Sequence, residues 1–270
     1  MIIGIGIPFG RRRAGSAPAF QGLLDLYPNA AAGYSLRKLR AAYTGAAVRI
    51  RRSSDNAESD IGFLNNEFDI AAAQAFCGAG NGFVTTWYDQ SGNGLDLLQT
   101  TAASQPQIVT GGVVVLDNTK PAISYNGTQL LFKSFGATKS QPQSIFAVTK
   151  NTSAAFGSTF GDNYQQGNRV GVGYYFIASS LGNVTVDTEN ANQIVTSFIL
   201  NGANSKTRIN NGTQLTGDAG TQTQAALAFG AGSYYGFMSG FAQEYIQWGS
   251  NQNANEAAIR GLINTYYNVY

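Results

Sequence analysis

The chain has 270 residues, 43% apolar, 12% aromatic and only 12% charged, with a formal net charge of +2. The absence of histidine removes imidazole-based metal ligation and His-dependent catalysis, the single cysteine rules out an internal disulfide, and the small net charge leaves no footprint for nucleic acid. Such a chain builds its surface from amides, hydroxyls and glycine, a composition of short strands and tight turns, and at this length it can still be one domain.

Residues 1–22 read as an N-terminal arm and linker, and 23–270 as the domain. Ile2, Ile3, Ile5 and Ile7 alternate with Gly4 and Gly6 and end at Pro8, a short extended segment too brief to span a membrane. Arg11, Arg12 and Arg13 follow the apolar run instead of preceding it, unlike a signal peptide. Exposed isoleucines are costly, so the arm is expected to dock on a partner, with the arginines meeting an acidic rim.

Between Leu23 and Phe76 the pattern is mixed, with short helices expected over Ala30–Tyr43 and Asp69–Phe76 and a strand over Ala47–Arg51. Asp55, Asn56, Glu58 and Asp60 lack the spacing of a calcium loop and read, beside Arg51 and Arg52, as a salt-bridged corner. No metal or cofactor is expected. About ten strands follow from Phe83 to Trp248, separated by turn dipeptides such as Asn126-Gly127, Asn201-Gly202 and Asn211-Gly212. Asn253 and Glu256 have the spacing of a capping box, and Ile259, Leu262, Ile263 and Tyr266 share a face of an amphipathic terminal helix.

The string Thr86-Trp87-Tyr88-Asp89-Gln90-Ser91-Gly92-Asn93-Gly94, with Tyr34-Ser35-Leu36-Arg37 and Val48-Arg49-Ile50-Arg51-Arg52-Ser53-Ser54-Asp55, resembles the catalytic domain of family 54 α-L-arabinofuranosidases. Later segments, including Lys120-Pro121-Ala122-Ile123-Ser124-Tyr125-Asn126-Gly127, look like the broader concanavalin-like and laminin-G-like sandwiches. The resemblance implies a mainly β, jelly-roll sandwich with short N-terminal helices and the C-terminal helix. It also implies a pair of catalytic carboxyl groups, which a retaining glycosidase needs about 5 to 5.5 Å apart. At the segments corresponding to these groups the chain reads Tyr174-Tyr175-Phe176-Ile177 and Leu227-Ala228-Phe229-Gly230-Ala231-Gly232-Ser233, without a carboxylate. Glu189, in a local string like the family's, and Glu244 are the remaining candidates. Cys77 matches half of a family disulfide whose partner position is held here by about Gly82, which implies a reducing compartment.

Asp89, Gln90 and Asn93 are expected to be structural, their side chains satisfying the backbone of a glycine-rich turn. Tyr234, Tyr235, Tyr174 and Trp248 are expected to offer faces for stacking on sugar rings. From the missing carboxylates, the arm and the neutral polar surface, the sequence reads as a non-enzymatic virion-associated protein of bacteriophage type, such as a head-decoration, spike or tail component. On this reading it is made in the host cytoplasm, docks through its arm on virion proteins, presents a glycan- or host-facing sandwich and forms a homo-oligomer. The alternative is an active α-L-arabinofuranosidase-like glycoside hydrolase.

Overall fold

Inward-facing apolar residues on both sides of Ser239–Trp248 make this last strand the centre of a sheet. The computed structural model describes residues 19–152, 157–161, 167–171, 174–179, 182–183, 192–221, 223–232 and 236–270. The arm residues Ile2 to Arg13, together with Glu189, Tyr234 and Tyr235, lie outside the described residues. Along one side Ser239–Trp248 pairs with Gln143–Asn151, and along the other with Ala30–Ser35 and Ile123–Asn126 placed end to end. Beyond Gln143–Asn151 follow Ile194–Leu200, Ser205–Ile209 and Leu215–Gly217.

The facing layer runs through Glu58–Ile61, Val48–Arg52, Gly82–Trp87, Leu97–Leu98, Leu131–Lys139 and Gln224–Phe229. It continues through Gly157–Gly161 and Gly167–Gly171 to Tyr174–Ser179. These pairings are antiparallel, and Gln107–Thr110 bonds to strands of both layers, so the sheet curls over on itself. The result is the mainly β sandwich with few helices that composition and turns lead one to expect.

Two cores follow from the alternation of strand side chains. Between the layers, Tyr34, Trp87, Phe160, Phe198, Phe229 and Tyr245 pack as tilted and edge-on pairs, with ring centroids from 5.0 Å (Phe160 and Tyr245) to 6.1 Å. On the opposite face of the first sheet, Phe146, Val195, Ile246 and Trp248 pack under Leu23 and Leu24 of the helix Leu23–Leu26 and under Ile259, Ile263 and Tyr267 of the helix Glu256–Tyr267. Trp248 is thus fully buried, its Nε1 donating to the carbonyls of Tyr27 and Pro28 at 3.2 and 3.1 Å. It has no face to offer a sugar, which corrects the stacking role expected of it.

Ala30–Tyr43 is not a helix. Ala30–Ser35 is a strand in which Ala32 and Tyr34 point into the inter-layer core, and Gly33 donates its N–H to Asp89. Tertiary pairing here outweighs the helix propensity of the alanines. The helix Ile70–Cys77 forms as expected, capped by Asp69 Oδ1 on the N–H of Ala72 at 2.9 Å. The expected capping box of the terminal helix does not form: Asn255 is the N-cap, without a side-chain cap bond, and Glu256 turns inward. Tyr267 takes the buried place expected of Tyr266, and Leu262 stays 37% exposed.

Cys77 is a free, buried thiol. A Cβ built on Gly82 would lie 2.7 Å from its Sγ, so the two positions face each other at cross-linking range.

Candidate functional site

The turn that follows the strand Gly82–Trp87 is held by three side chains. Asp89 Oδ1 accepts from the N–H groups of Gly33 and Ser91, both at 2.9 Å, and Oδ2 from Ser91 Oγ at 2.7 Å and Leu95 N–H at 3.1 Å. Gln90 Nε2 donates to the carbonyls of Ser35 and Arg37, and its Oε1 accepts from Leu39 N–H. Asn93 Nδ2 donates to the carbonyls of Ala30 and Ala31. Asp89 and Gln90 are buried, and their bonds tie the turn to the strand Ala30–Ser35. A carboxylate with both oxygens saturated by neighbouring donors has no lone pair free to attack a sugar or take its proton.

Glu244 is equally committed. It is fully buried and accepts a bidentate pair from Arg37 Nε and Nη2 at 2.7 and 2.9 Å, together with Ser35 Oγ at 2.8 Å and Tyr267 Oη at 3.3 Å. Burial pushes Arg37 to release its proton, but the Glu244 charge and hydrogen bonds outweigh it and hold the guanidinium well above its usual range. Beside this pair Arg37 lies over the ring of Tyr266, 4.4 Å from its centroid, and Tyr266 donates to Glu67. Glu244 stands on the helix side of the first sheet, so the structure makes it a clamp between the first and last strands of that sheet.

At the corner between Arg49 and Asp60, Arg49 pairs bidentately with Asp60 and Arg52 with Asp55. The hydrogen bond from Arg49 is the main cause holding the Asp60 carboxyl below its usual range, and that from Arg52 does the same for Asp55. Among the described residues no cluster of acids, or of acids with Cys77, is fit to hold a metal ion. Asp25, Asp69 and Asp218 accept backbone N–H groups, Asp96 accepts from Asp89 N–H, Lys150 pairs with Asp117, and Arg260 and Ser197 hold Glu256.

At the far end of the sandwich Thr149, Asn151, Thr196 and Thr207 replace apolar residues on the inter-layer face of the first sheet, all of them buried. Register gives that face: Ile145 and Ala147 on the same strand, and Phe198 on the next, belong to the inter-layer core. Thr207 Oγ1 is buried without a hydrogen-bond partner among the described residues. The end of the facing layer is built by Gly157–Gly161, Gly167–Gly171 and Tyr174–Ser179. Gly230, at φ +89° just after Gln224–Phe229, leaves room for Tyr125, whose ring a Cβ there would approach to 2.3 Å. Tyr174 lies on a strand three intervals from Gln224–Phe229, about 14 Å across a sheet at the usual spacing. The two segments where the resemblance would put carboxyl groups are therefore not adjacent strands.

The model of the family described as "Alpha-L-arabinofuranosidase B, catalytic" matches residues 25–164, just over half of the chain. The chain belongs to this family. The match spans the Asp89 turn, Arg37 and the corner at Asp60. The chain is 41% identical over 92 residues to an alpha-L-arabinofuranosidase of Hypocrea jecorina, a stretch that is 32% of this chain and 18% of the relative. It is 38% identical over 85 residues to a probable alpha-L-arabinofuranosidase B of Aspergillus flavus, 29% of this chain and 17% of that protein. The matched stretches thus span less than a fifth of the length of these curated relatives. A solved GH54 α-L-arabinofuranosidase, soaked with a cyclic sulfate inhibitor, superposes with a TM-score of 0.69 at 16% identity, covering 88% of this chain and 63% of that one, which shows a shared fold.

Family membership overturns the expectation of a non-enzymatic virion protein. The family is one of glycoside hydrolases, and the relatives are fungal arabinofuranosidases, so both the structural-protein reading and the virion location fall.

Proposed function

We propose that this chain is a retaining glycoside hydrolase acting on α-L-arabinofuranosides, with Glu189 as nucleophile and Asp162 as acid and base. Family membership carries the reading of the reaction. What supports the residues is elimination: the described carboxylates other than the surface Glu58 are engaged in caps, ion pairs or turns, as set out above. The acids left are Asp162, Asp187 and Glu189, all in one stretch of sequence. Asp162 directly follows Gly161, whose backbone pairs with Ala228 on the strand leading into Phe229–Ser233. Glu189 lies in Val186-Asp187-Thr188-Glu189-Asn190, the string that resembles the family's own. In a retaining reaction one carboxylate attacks the anomeric carbon as the other protonates the leaving oxygen, and the second then activates the water that releases the sugar.

The test is hydrolysis of 4-nitrophenyl α-L-arabinofuranoside. Wild-type turnover is expected, with a loss of at least about a hundredfold in Glu189→Gln and in Asp162→Asn. Absence of wild-type turnover refutes the activity, and full activity in Glu189→Gln refutes the assignment.

A further inference from the structure

Strand register builds a row of side chains on the outer face of the second layer, on the side away from Trp87, Leu97 and Leu131. Direct cross-strand partners run from Asp60 and Arg49 through Thr86, Leu98 and Phe132 to Ala228. At the middle of this row two large apolar side chains face solvent as neighbours, Leu98 at 46% and Phe132 at 36% exposure. They floor a groove of about 420 Å3 whose other walls are Gln99, Thr100, Lys133 and Ser134. The wall is stiff at Gln99, whose Nε2 donates to the Leu130 carbonyl and whose Oε1 accepts from Thr101 N–H.

We infer that this groove binds the main chain of a neutral polysaccharide, outside the catalytic centre. The chemistry selects that ligand. A sugar ring has an apolar C–H face and an equatorial rim of hydroxyls, and an aromatic ring beside an aliphatic side chain offers the matching platform. The rim of the groove supplies hydroxyls and amides and contains no carboxylate. Its single ammonium, Lys133, carries too little charge to select an acidic polymer, and the one charged stretch of the row is the Arg49 and Asp60 pair, which neutralises itself. The groove also adjoins the strand Gln224–Phe229 at Ala228, whose partner Gly161 directly precedes Asp162 in the sequence. In that respect the inference rests on the hydrolase reading: the bound chain is the polymer that bears the arabinofuranosyl branches.

The experiment is electrophoresis through gels holding soluble arabinoxylan, with polygalacturonate gels as the acidic comparison. Wild-type protein is expected to be retarded by arabinoxylan and not by polygalacturonate. Phe132→Ala should weaken the retardation at least tenfold and Phe132→Tyr should preserve it, with thermal melting checking that each variant is folded. Leu98→Ser, at the more exposed half of the platform, serves if Phe132→Ala does not fold, and should weaken binding in the same direction. Absence of wild-type retardation, equal retardation of the folded variants, or preference for the acidic polymer overturns the proposal. Turnover of 4-nitrophenyl α-L-arabinofuranoside, measured on the same wild-type sample, separates the two readings. Turnover without retardation removes the groove alone, and Phe132-dependent retardation without turnover removes the hydrolase and leaves a carbohydrate-binding surface.

Discussion

The clamp of Arg37 on Glu244 and the corner pair of Arg49 on Asp60 are the same chemical object, a bidentate guanidinium and carboxylate at 2.7 to 2.9 Å. Their surroundings differ. The side chains of the clamp are 13% and 0% exposed, and those of the corner 43% and 44%. In water the corner exchanges protein contacts for hydration at little net gain, whereas the clamp has given up hydration and depends on its partners. The Asp89 turn stands on the side of the clamp: a charge is buried there too, but backbone N–H groups and a hydroxyl, in place of an arginine, satisfy it. Identical geometry therefore carries different weight, and burial sets the scale.

The largest break in this comparison is expected from Glu244→Gln. It leaves Arg37 buried without a counter-charge and should cost about 3 to 5 kcal/mol in urea unfolding; a loss below about 1 kcal/mol would place the clamp in the same class as the corner. Asp89→Asn comes next. One amide edge would now face donors that need an acceptor, among them Leu95 N–H, at a cost of about 1 to 3 kcal/mol in the same measurement. Asp60→Asn should cost less than about 1 kcal/mol. It carries a sharper signature in titration, because Tyr88 Oη donates to Asp60 and the phenol is pushed up to about 12, first by burial and then by that bond. A phenol raised on folding contributes stability that is complete below its unfolded value near 10 and is lost as pH rises towards 12. In Asp60→Asn the Tyr88 ionisation, followed by tyrosinate absorbance, should move down towards 10.

Much of the fold was legible because turn chemistry and alternation are local. The strands after Phe83, the helix capped by Asp69 and the terminal helix follow from residues within a few positions of one another. The failures are non-local. Nothing within Ala30–Tyr43 reveals that Gly33 will face Asp89 or that Ala32 and Tyr34 will alternate into a core, and Trp248 reads as a stacking face for a sugar until a helix is seen to cover it. Leu98 and Phe132 carry no signal at all, since each sits in an apolar run and only register shows them side by side on the wet face. Of the candidate site, the motif around Asp89 was visible and led to the family, whereas the role of Glu244 required its partner, 207 residues away in sequence.

The strand Ser239–Trp248 lies at the heart of the first sheet and follows all three of its sheet neighbours in sequence. During synthesis the strands Ala30–Ser35, Ile123–Asn126 and Gln143–Asn151 leave the ribosome with their hydrogen-bonding edges unfilled, waiting for a neighbour not yet made. The nascent chain therefore cannot bank its structure piece by piece. Folding of this sheet is held until Ser239–Trp248 emerges, and a chain ending short of Ser239 has open edges of the kind that pair with other copies. Emergence of this strand is in this sense the trigger for folding.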